Sequence, residues 1–360
     1  MTQAPETPSD GRVLLITGAA GFIGANACRY FSQRGWQVVA LESPKTIGWR
    51  LKGIDGITRL KVDITDAVAV RETLLRCRPQ FVMNCAAYGS YPSDQRQDLI
   101  YRVNFDSVRA MLEVLKDSPG LRGFIQAGSS SEYGFNCAAP RENMACEPDS
   151  HFSVSKLGAT QLVQFYGRRF NVPAWSLRLS SVYGPLEEFS RLIPQICWKA
   201  LKGTLPDLAS PEISRDFVYI DDVLEAFEAV MMKADSLACG EVYNIGSGIC
   251  TTLGHLAETA REIFGITDLP RFGQFADRGW DHPSWYANPE KGVAFLGWNV
   301  RVPLVDGLRK TYAWMEQNPE TVLASEKYSI IQRGKGNVGF GRDAGARRSG
   351  NPEAPPQASP

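Results

Sequence analysis

The chain has 360 residues, 44% of them hydrophobic, which is too long for one simple core and points to a large domain with an appendage or to two domains. Lys plus Arg and Asp plus Glu are 39 each, so no global field draws the protein to nucleic acid or to an anionic membrane, and any anion site must be local. Three scattered His and eight Cys without a C-x-x-C pair argue against a metal site and a disulfide framework, and no apolar run reaches the length of a membrane span.

Residues 1–11 are polar, lack an apolar signal core, and read as a disordered leader of a cytoplasmic protein. Next, "RVLLIT" (12–17) has the continuous apolar character of a buried parallel strand, and "FIGANACRYFSQRG" has helical apolar spacing. "QVVALE" (37–42) completes a βαβ start. The alternation continues through "TRLKVDIT", the helical "DAVAVRETLLRCR", "QFVMNCAA", a helix over 103–116, "GFIQAGSS", a helix over 153–170, and "AWSLRLSS". This pattern predicts an α/β fold with a doubly wound parallel sheet over 12–184. From residue 185 to about 330 the pattern loosens into a smaller mixed α/β unit, the substrate domain, with segments near 212–248 returning to the first. Residues 331–360, rich in Gly, Pro and Arg, predict a disordered tail.

Between the first strand and the first helix lies "TGAAGFIG", with Gly18, Gly21 and Gly24 spaced for a tight turn, for close approach of backbone amides to a pyrophosphate, and for helix–strand contact. Glu42 ends the second strand, where a carboxylate accepts hydrogen bonds from adenosine ribose hydroxyls and repels a 2′-phosphate. NAD is therefore the expected cofactor.

These motifs resemble the extended short-chain dehydrogenase/reductases, specifically the nucleotide-sugar epimerase/dehydratase group, from about Val13 to Trp314. The resemblance implies a Rossmann-like sheet and assigns the cofactor loop to Gly18, Gly21, Phe22, Ile23 and Gly24. It gives the adenine side to Asp63 and Ile64 of "VDITD", the nicotinamide half to Cys85, Ala86 and Ala87 of "NCAA", and a helix Asn to Asn104. Ser129 of "GSSSEYG" matches the active-site hydroxyl, and Lys156 of "SHFSVSK" the catalytic Lys. Arg215 of "RDFVYIDDV" and Arg278 of "DRGWDHPSWYA" match the two guanidiniums that hold a sugar-nucleotide diphosphate. The implied ligand is a nucleoside diphosphate sugar and the implied assembly a homodimer through the helices over 103–116 and 153–170.

Two positions depart from that pattern. Phe152 stands where the family has the Tyr that takes a proton from a sugar hydroxyl. His151, Tyr88, Tyr91 and Glu132 are the candidates to replace it, although Glu132 is one residue out of the register of dehydratase carboxylates, where Ser131 falls. Ser181 stands where many relatives have an Asn that touches the diphosphate. The readings left open are an epimerase or dehydratase acting through oxidation at the sugar 4-position, a catalytically silent binder of NAD and a nucleotide sugar, and a reductase of a small carbonyl compound.

Overall fold

The computed structural model describes residues 12–90, 96–274 and 281–336, with side chains through Lys327. The expectations for the leader, for Tyr91, for Arg278 and for the tail beyond residue 336 lie outside these residues.

Strands β1 (Val13–Thr17), β2 (Gln37–Glu42), β3 (Ile57–Lys61), β4 (Phe81–Asn84), β5 (Gly123–Ser129) and β6 (Ala174–Leu179) alternate with helices α1 (Phe22–Ser32), α2 (Ala67–Cys77), α3 (Gln97–Tyr101), α4 (Ser107–Leu115) and α5 (His151–Phe170). Beyond them come β7 (Ser181–Tyr183), α6 (Leu192–Ala200), β8 (Ser214–Arg215), β9 (Phe217–Tyr219), α7 (Ile220–Lys233), β10 (Glu241–Ile245), β11 (Thr251–Thr252), α8 (Leu253–Phe264), α9 (Leu304–Gln317) and α10 (Pro319–Gly336). The main sheet has seven parallel strands in the order β10-β6-β5-β4-β1-β2-β3.

Successive side chains of a strand point to opposite faces, and the apolar runs divide accordingly. Leu14, Ile16, Met83, Ile125 and Trp175 pack on one face with Phe31 of α1 and Val223 and Phe227 of α7. Leu15, Val82, Phe124 and Ala174 pack on the other with Leu74 of α2 and Val163 of α5. In α4 the buried Val108, Met111, Leu112 and Leu115 are spaced i, i+3, i+4, i+7, a single helical face turned to that second layer. With both faces covered, β4 and β6 are buried throughout, the polar Asn84, Ser176 and Arg178 included.

The chain leaves β1 toward β2 on one side and later enters β4 on the other, so the crevice of the fold opens between the carboxyl ends of β1 and β4. The predicted helix over 103–116 is interrupted by a π turn over Arg102–Asp106. Helix α10 runs to Gly336, past the predicted start of the tail, because no Pro interrupts it after Pro319. No described helix is long and apolar enough to cross a membrane.

Candidate active site

The crevice is built by backbone contact. Gly18 has φ +62°, and a Cβ there would lie 2.7 Å from the Ala86 amide nitrogen, so the turn after β1 presses directly on the segment after β4. A Cβ on Gly24 would lie 2.3 Å from the Gly18 carbonyl oxygen, which fixes the close approach of α1 to that turn. Gly21 is the N-cap of α1, and the first turn contains no acidic residue, leaving Phe22, Ile23 and Gly24 at a helix start suited to a phosphate. The described residues thus fit the pyrophosphate of a dinucleotide.

Under this turn runs a buried polar chain absent from the sequence expectations. The Thr17 hydroxyl donates to Asn84 Oδ1, and Asn84 Nδ2 donates to Gln126 Oε1 at 2.6 Å. The Ala86 amide donates to Thr17 Oγ1 at 3.3 Å. Its signal in the sequence was an Asn and a Gln inside otherwise apolar strands, since buried amides need partners. Next to it, Asn104 lies in the π turn, a distortion common at functional sites. Its side chain accepts from the Tyr88 amide at 2.9 Å and donates to the Tyr88 carbonyl at 2.8 Å and to Ser155 Oγ at 2.9 Å. Asn104 therefore holds the loop carrying Ala87 and Tyr88 against α5.

At the adenosine end, Asp63 is exposed and accepts from the Thr65 amide and hydroxyl at 2.9 and 2.8 Å, bonds that hold its carboxyl below the usual range. Ile64 packs half-buried beside it. Glu42, the expected ribose acceptor, is enclosed. It is 1% exposed, and both carboxylate oxygens are bonded by Arg59, at 2.6 and 3.0 Å, and one also by Lys61 at 3.1 Å. Burial pushes its carboxyl up, but these bonds and charges outweigh burial and hold it below its usual range.

At the catalytic end, Ser150 caps α5 by accepting from the Ser153 amide. Lys156, one turn further along, is 3% exposed, and its ammonium donates to the Ala127 carbonyl of β5. Burial lowers its pKa, while Glu132 and Cys85 oppose that shift. The Ser129 hydroxyl at the end of β5 lies 2.8 Å from Ser131 Oγ. Phe152 is half-buried, and its carbonyl accepts from Ser155 Oγ at 2.7 Å.

Two of the proposed replacements for the missing phenol are placed elsewhere. His151 is exposed and meets the Tyr101 hydroxyl through Nδ1 at 3.0 Å, so its ring is turned onto α3. The reason is its place as first residue of α5, adjacent to Phe152 and hence about 100° around the helix from it. Glu132 is fully buried: Oε1 accepts from the Ser129 amide at 2.8 Å in a capping box and Oε2 pairs with Arg178 Nε at 2.8 Å. Its carboxylate is committed to holding the serine turn. Of the phenols, Tyr88 is half-buried in the loop held by Asn104.

Trp285 reaches the serine turn, and its indole donates to Ser130 Oγ at 3.3 Å. Arg215 stacks on that indole at 4.6 Å and pairs with Asp281 at 2.6 Å. Beside it, Asp216 is 1% exposed and accepts from the amides of Ser247, Gly248 and Ala287 and from the Ser247 hydroxyl. Burial pushes its carboxyl up against those bonds. Ser181 donates its amide to the Asp216 carbonyl at 2.8 Å. Asp216 thus ties the segments bearing Arg215, Ser181 and Trp285 together. Sequence reasoning missed Trp285, Asp281 and Asp216 although all three lie within the two Arg motifs it singled out.

Comparison with known proteins agrees with this geometry. The chain is 28% identical over 321 residues to the Arabidopsis thaliana trifunctional UDP-glucose 4,6-dehydratase/UDP-4-keto-6-deoxy-D-glucose 3,5-epimerase/UDP-4-keto-L-rhamnose-reductase, covering 85% of this chain and 47% of that protein. It therefore spans about half the length of that relative. It is 27% identical to dTDP-glucose 4,6-dehydratase of Xanthomonas campestris pv. campestris, covering 84% of this chain and 93% of that one. Among solved structures, dTDP-glucose 4,6-dehydratase of Bacillus anthracis in complex with NAD superposes with a TM-score of 0.75 at 25% identity, covering 86% and 98% of the two chains. A tyrosine-to-phenylalanine variant of UDP-glucuronic acid 4-epimerase from Bacillus cereus, in complex with UDP-4-deoxy-4-fluoro-glucuronic acid and NAD, gives 0.74 at 25% identity and 85% and 99% coverage. The NAD dependent epimerase/dehydratase family matches residues 14–246, which contain the glycine turn, the serine turn, Lys156 and Arg215, and the chain belongs to that family.

Proposed function

We propose that the protein is an NAD-dependent enzyme acting on a nucleoside diphosphate sugar through transient oxidation at the sugar 4-position. The observation that carries this reading is the convergence at the strand ends of the Gly18 turn, buried Lys156, the Ser129 turn, and Arg215 stacked on the Trp285 that bonds Ser130. The Gly18–Gly24 turn, Asp63, Ile64, Cys85, Ala86, Ala87 and Lys156 would hold the dinucleotide, which when bound takes up a hydride and returns it within one turnover. The chain's own residues position the sugar. Ser129 orients a hydroxyl, Arg215 and Arg278 bind the diphosphate by charge-assisted hydrogen bonds, and Ser181 donates from a shorter reach than an Asn. With His151 turned to Tyr101 and Glu132 committed to Arg178, the phenols after β4, Tyr88 and Tyr91, are the groups left among the four candidates to take the proton. The same commitment of Glu132 leaves the serine turn without a carboxylate for dehydration, which favours epimerisation or reduction.

Incubation of the purified protein with a panel of nucleotide sugars, with the sugar products separated and identified, tests this reading. Conversion of at least one is expected; no conversion of any, together with no dinucleotide released from the native protein in mass spectrometry, overturns it.

Phe152 supports a second reading, a catalytically silent binder of the same two ligands. The Bacillus cereus variant with a phenylalanine in place of a tyrosine still holds NAD and a UDP-sugar, which supports this reading. On this reading Phe152→Tyr raises turnover by about 10²- to 10⁴-fold with unchanged NAD affinity, and a wild type as active as the variant sinks it. A homodimer through α4 and α5 is supported by the exposed Val154, Phe165 and Phe170 of α5; sedimentation of a monomer at micromolar concentration would exclude it. The cytoplasm is the compartment that suits eight unpaired thiols.

A further inference from the structure

The carboxyl end of β2 faces the adenosine ribose in folds of this kind, and a carboxylate standing clear at that point rejects a 2′-phosphate. Here the carboxylate is enclosed. Glu42 is 1% exposed, and Gly48, with φ +68°, folds the following loop so closely over it that a Cβ would lie 2.3 Å from Glu42 Oε2. Its partners reach it from β3 and remain half in solvent: the Arg59 side chain is 40% exposed and that of Lys61 45%. Two cations, Arg59 and Lys61, thus stand against one carboxylate, Glu42, a local balance of one positive charge.

Hydrogen-bonding capacity is left as well. Arg59 uses Nε and Nη2 on Glu42, so the two N–H groups of Nη1 remain, with no protein partner among the described residues. The Lys61 ammonium donates to Glu42 and to the Thr46 carbonyl at 2.7 Å, which leaves a third N–H. A guanidinium edge and an ammonium side by side, forming a half-exposed rim over their buried counter-ion, are suited to a phosphate dianion.

We infer that this rim accepts a 2′-phosphate on the adenosine ribose, so that the chain binds NADP at least as well as NAD, with Arg59 and Lys61 as the discriminating residues. The inference rests on the dinucleotide-enzyme reading above and replaces the expectation that Glu42 excludes the phosphate.

Calorimetric titration of the full chain with adenosine 2′,5′-bisphosphate and with adenosine 5′-monophosphate tests it. The bisphosphate is expected to bind about 10-fold more tightly or better at low ionic strength, and the advantage to shrink as salt is added. Lys61→Gln should remove several-fold of that advantage without altering 5′-monophosphate affinity. Glu42→Gln should preserve or increase it, whereas a Glu42 that serves the ribose hydroxyls would lose 5′-monophosphate affinity on the same change. Arg59→Gln strands Glu42 and is read only beside its circular dichroism, so Lys61→Gln is the deciding variant. Tighter or equal binding of the 5′-monophosphate overturns the inference and leaves the dinucleotide reading standing. Failure of both nucleotides to bind overturns both.

Discussion

Two glutamates at the carboxyl ends of the sheet, Glu42 and Glu132, are both buried and both paired with an arginine, yet the pairs are built differently. Arg178 is itself 4% exposed, and its guanidinium also donates to the Glu142 carbonyl and lies 4.4 Å over the Tyr133 ring. Every part of that pair is enclosed, so it can only hold the serine turn in place. Glu42 faces Arg59 and Lys61, whose charged ends reach water. The first pair is an internal strut. The second is a buried anion with its cations at the rim, where they remain available to a ligand. A carboxylate in a motif therefore does not define its own role; the exposure of its partner does.

The largest effect that separates the two is expected from Arg178→Met. It leaves the Glu132 carboxylate enclosed without a counter-ion and should lower the unfolding free energy by about 3–5 kcal/mol, measured by denaturant titration. Adding Glu132→Gln should recover much of that loss, and a single variant within about 1 kcal/mol of wild type would break the distinction. Arg59→Met leaves Lys61 in place on Glu42 and should cost less, about 1–3 kcal/mol.

Much of this framework was legible in the sequence. Buried parallel strands are mostly apolar, glycine spacing follows from backbone approach, and Lys156 and Asn104 stand in local motifs, so β1 to β6 could be placed and residues for the nicotinamide half nominated. The state of the two glutamates could not. Enclosure of Glu42 depends on a left-handed Gly48 six residues away, and Glu132 is claimed by Arg178 at a separation of 46 residues. The placement of His151 was hidden for a related reason, because its partner Tyr101 lies on α3, 50 residues earlier. Pairings over such distances are products of the fold, and no local spacing encodes them.

A third acidic side chain extends the comparison to pH. Glu187, in the loop after β7, has an Oε2 that is buried without a hydrogen-bond partner, and burial pushes its carboxyl up to about 8 against the pull of Arg191. Below the ordinary carboxylate range it is protonated in both folded and unfolded chains and costs nothing. As pH rises from there toward 8 the unfolded chain ionises first, so stability declines across that window. Glu42 acts in the opposite sense: its depressed value adds stability above the ordinary range, and this is lost as acid carries the pH down through it. Thermal melts of Glu187→Gln should therefore match wild type near pH 4 and exceed it at pH 8. Equal melts at both would remove Glu187 from the account.

The smallest expected effect sharpens the distinction most. Lys61 is 45% exposed, shares Glu42 with Arg59, and donates to the Thr46 carbonyl. Exposed ion pairs contribute about 0–1 kcal/mol, so Lys61→Gln should leave the unfolding free energy within about 1 kcal/mol of wild type. If the rim cations serve a ligand and not the fold, this nearly silent substitution must still be felt in nucleotide binding. If instead it lowers stability as much as Arg178→Met does, Lys61 is part of a strut like the one at Glu132, and the two glutamates are alike after all.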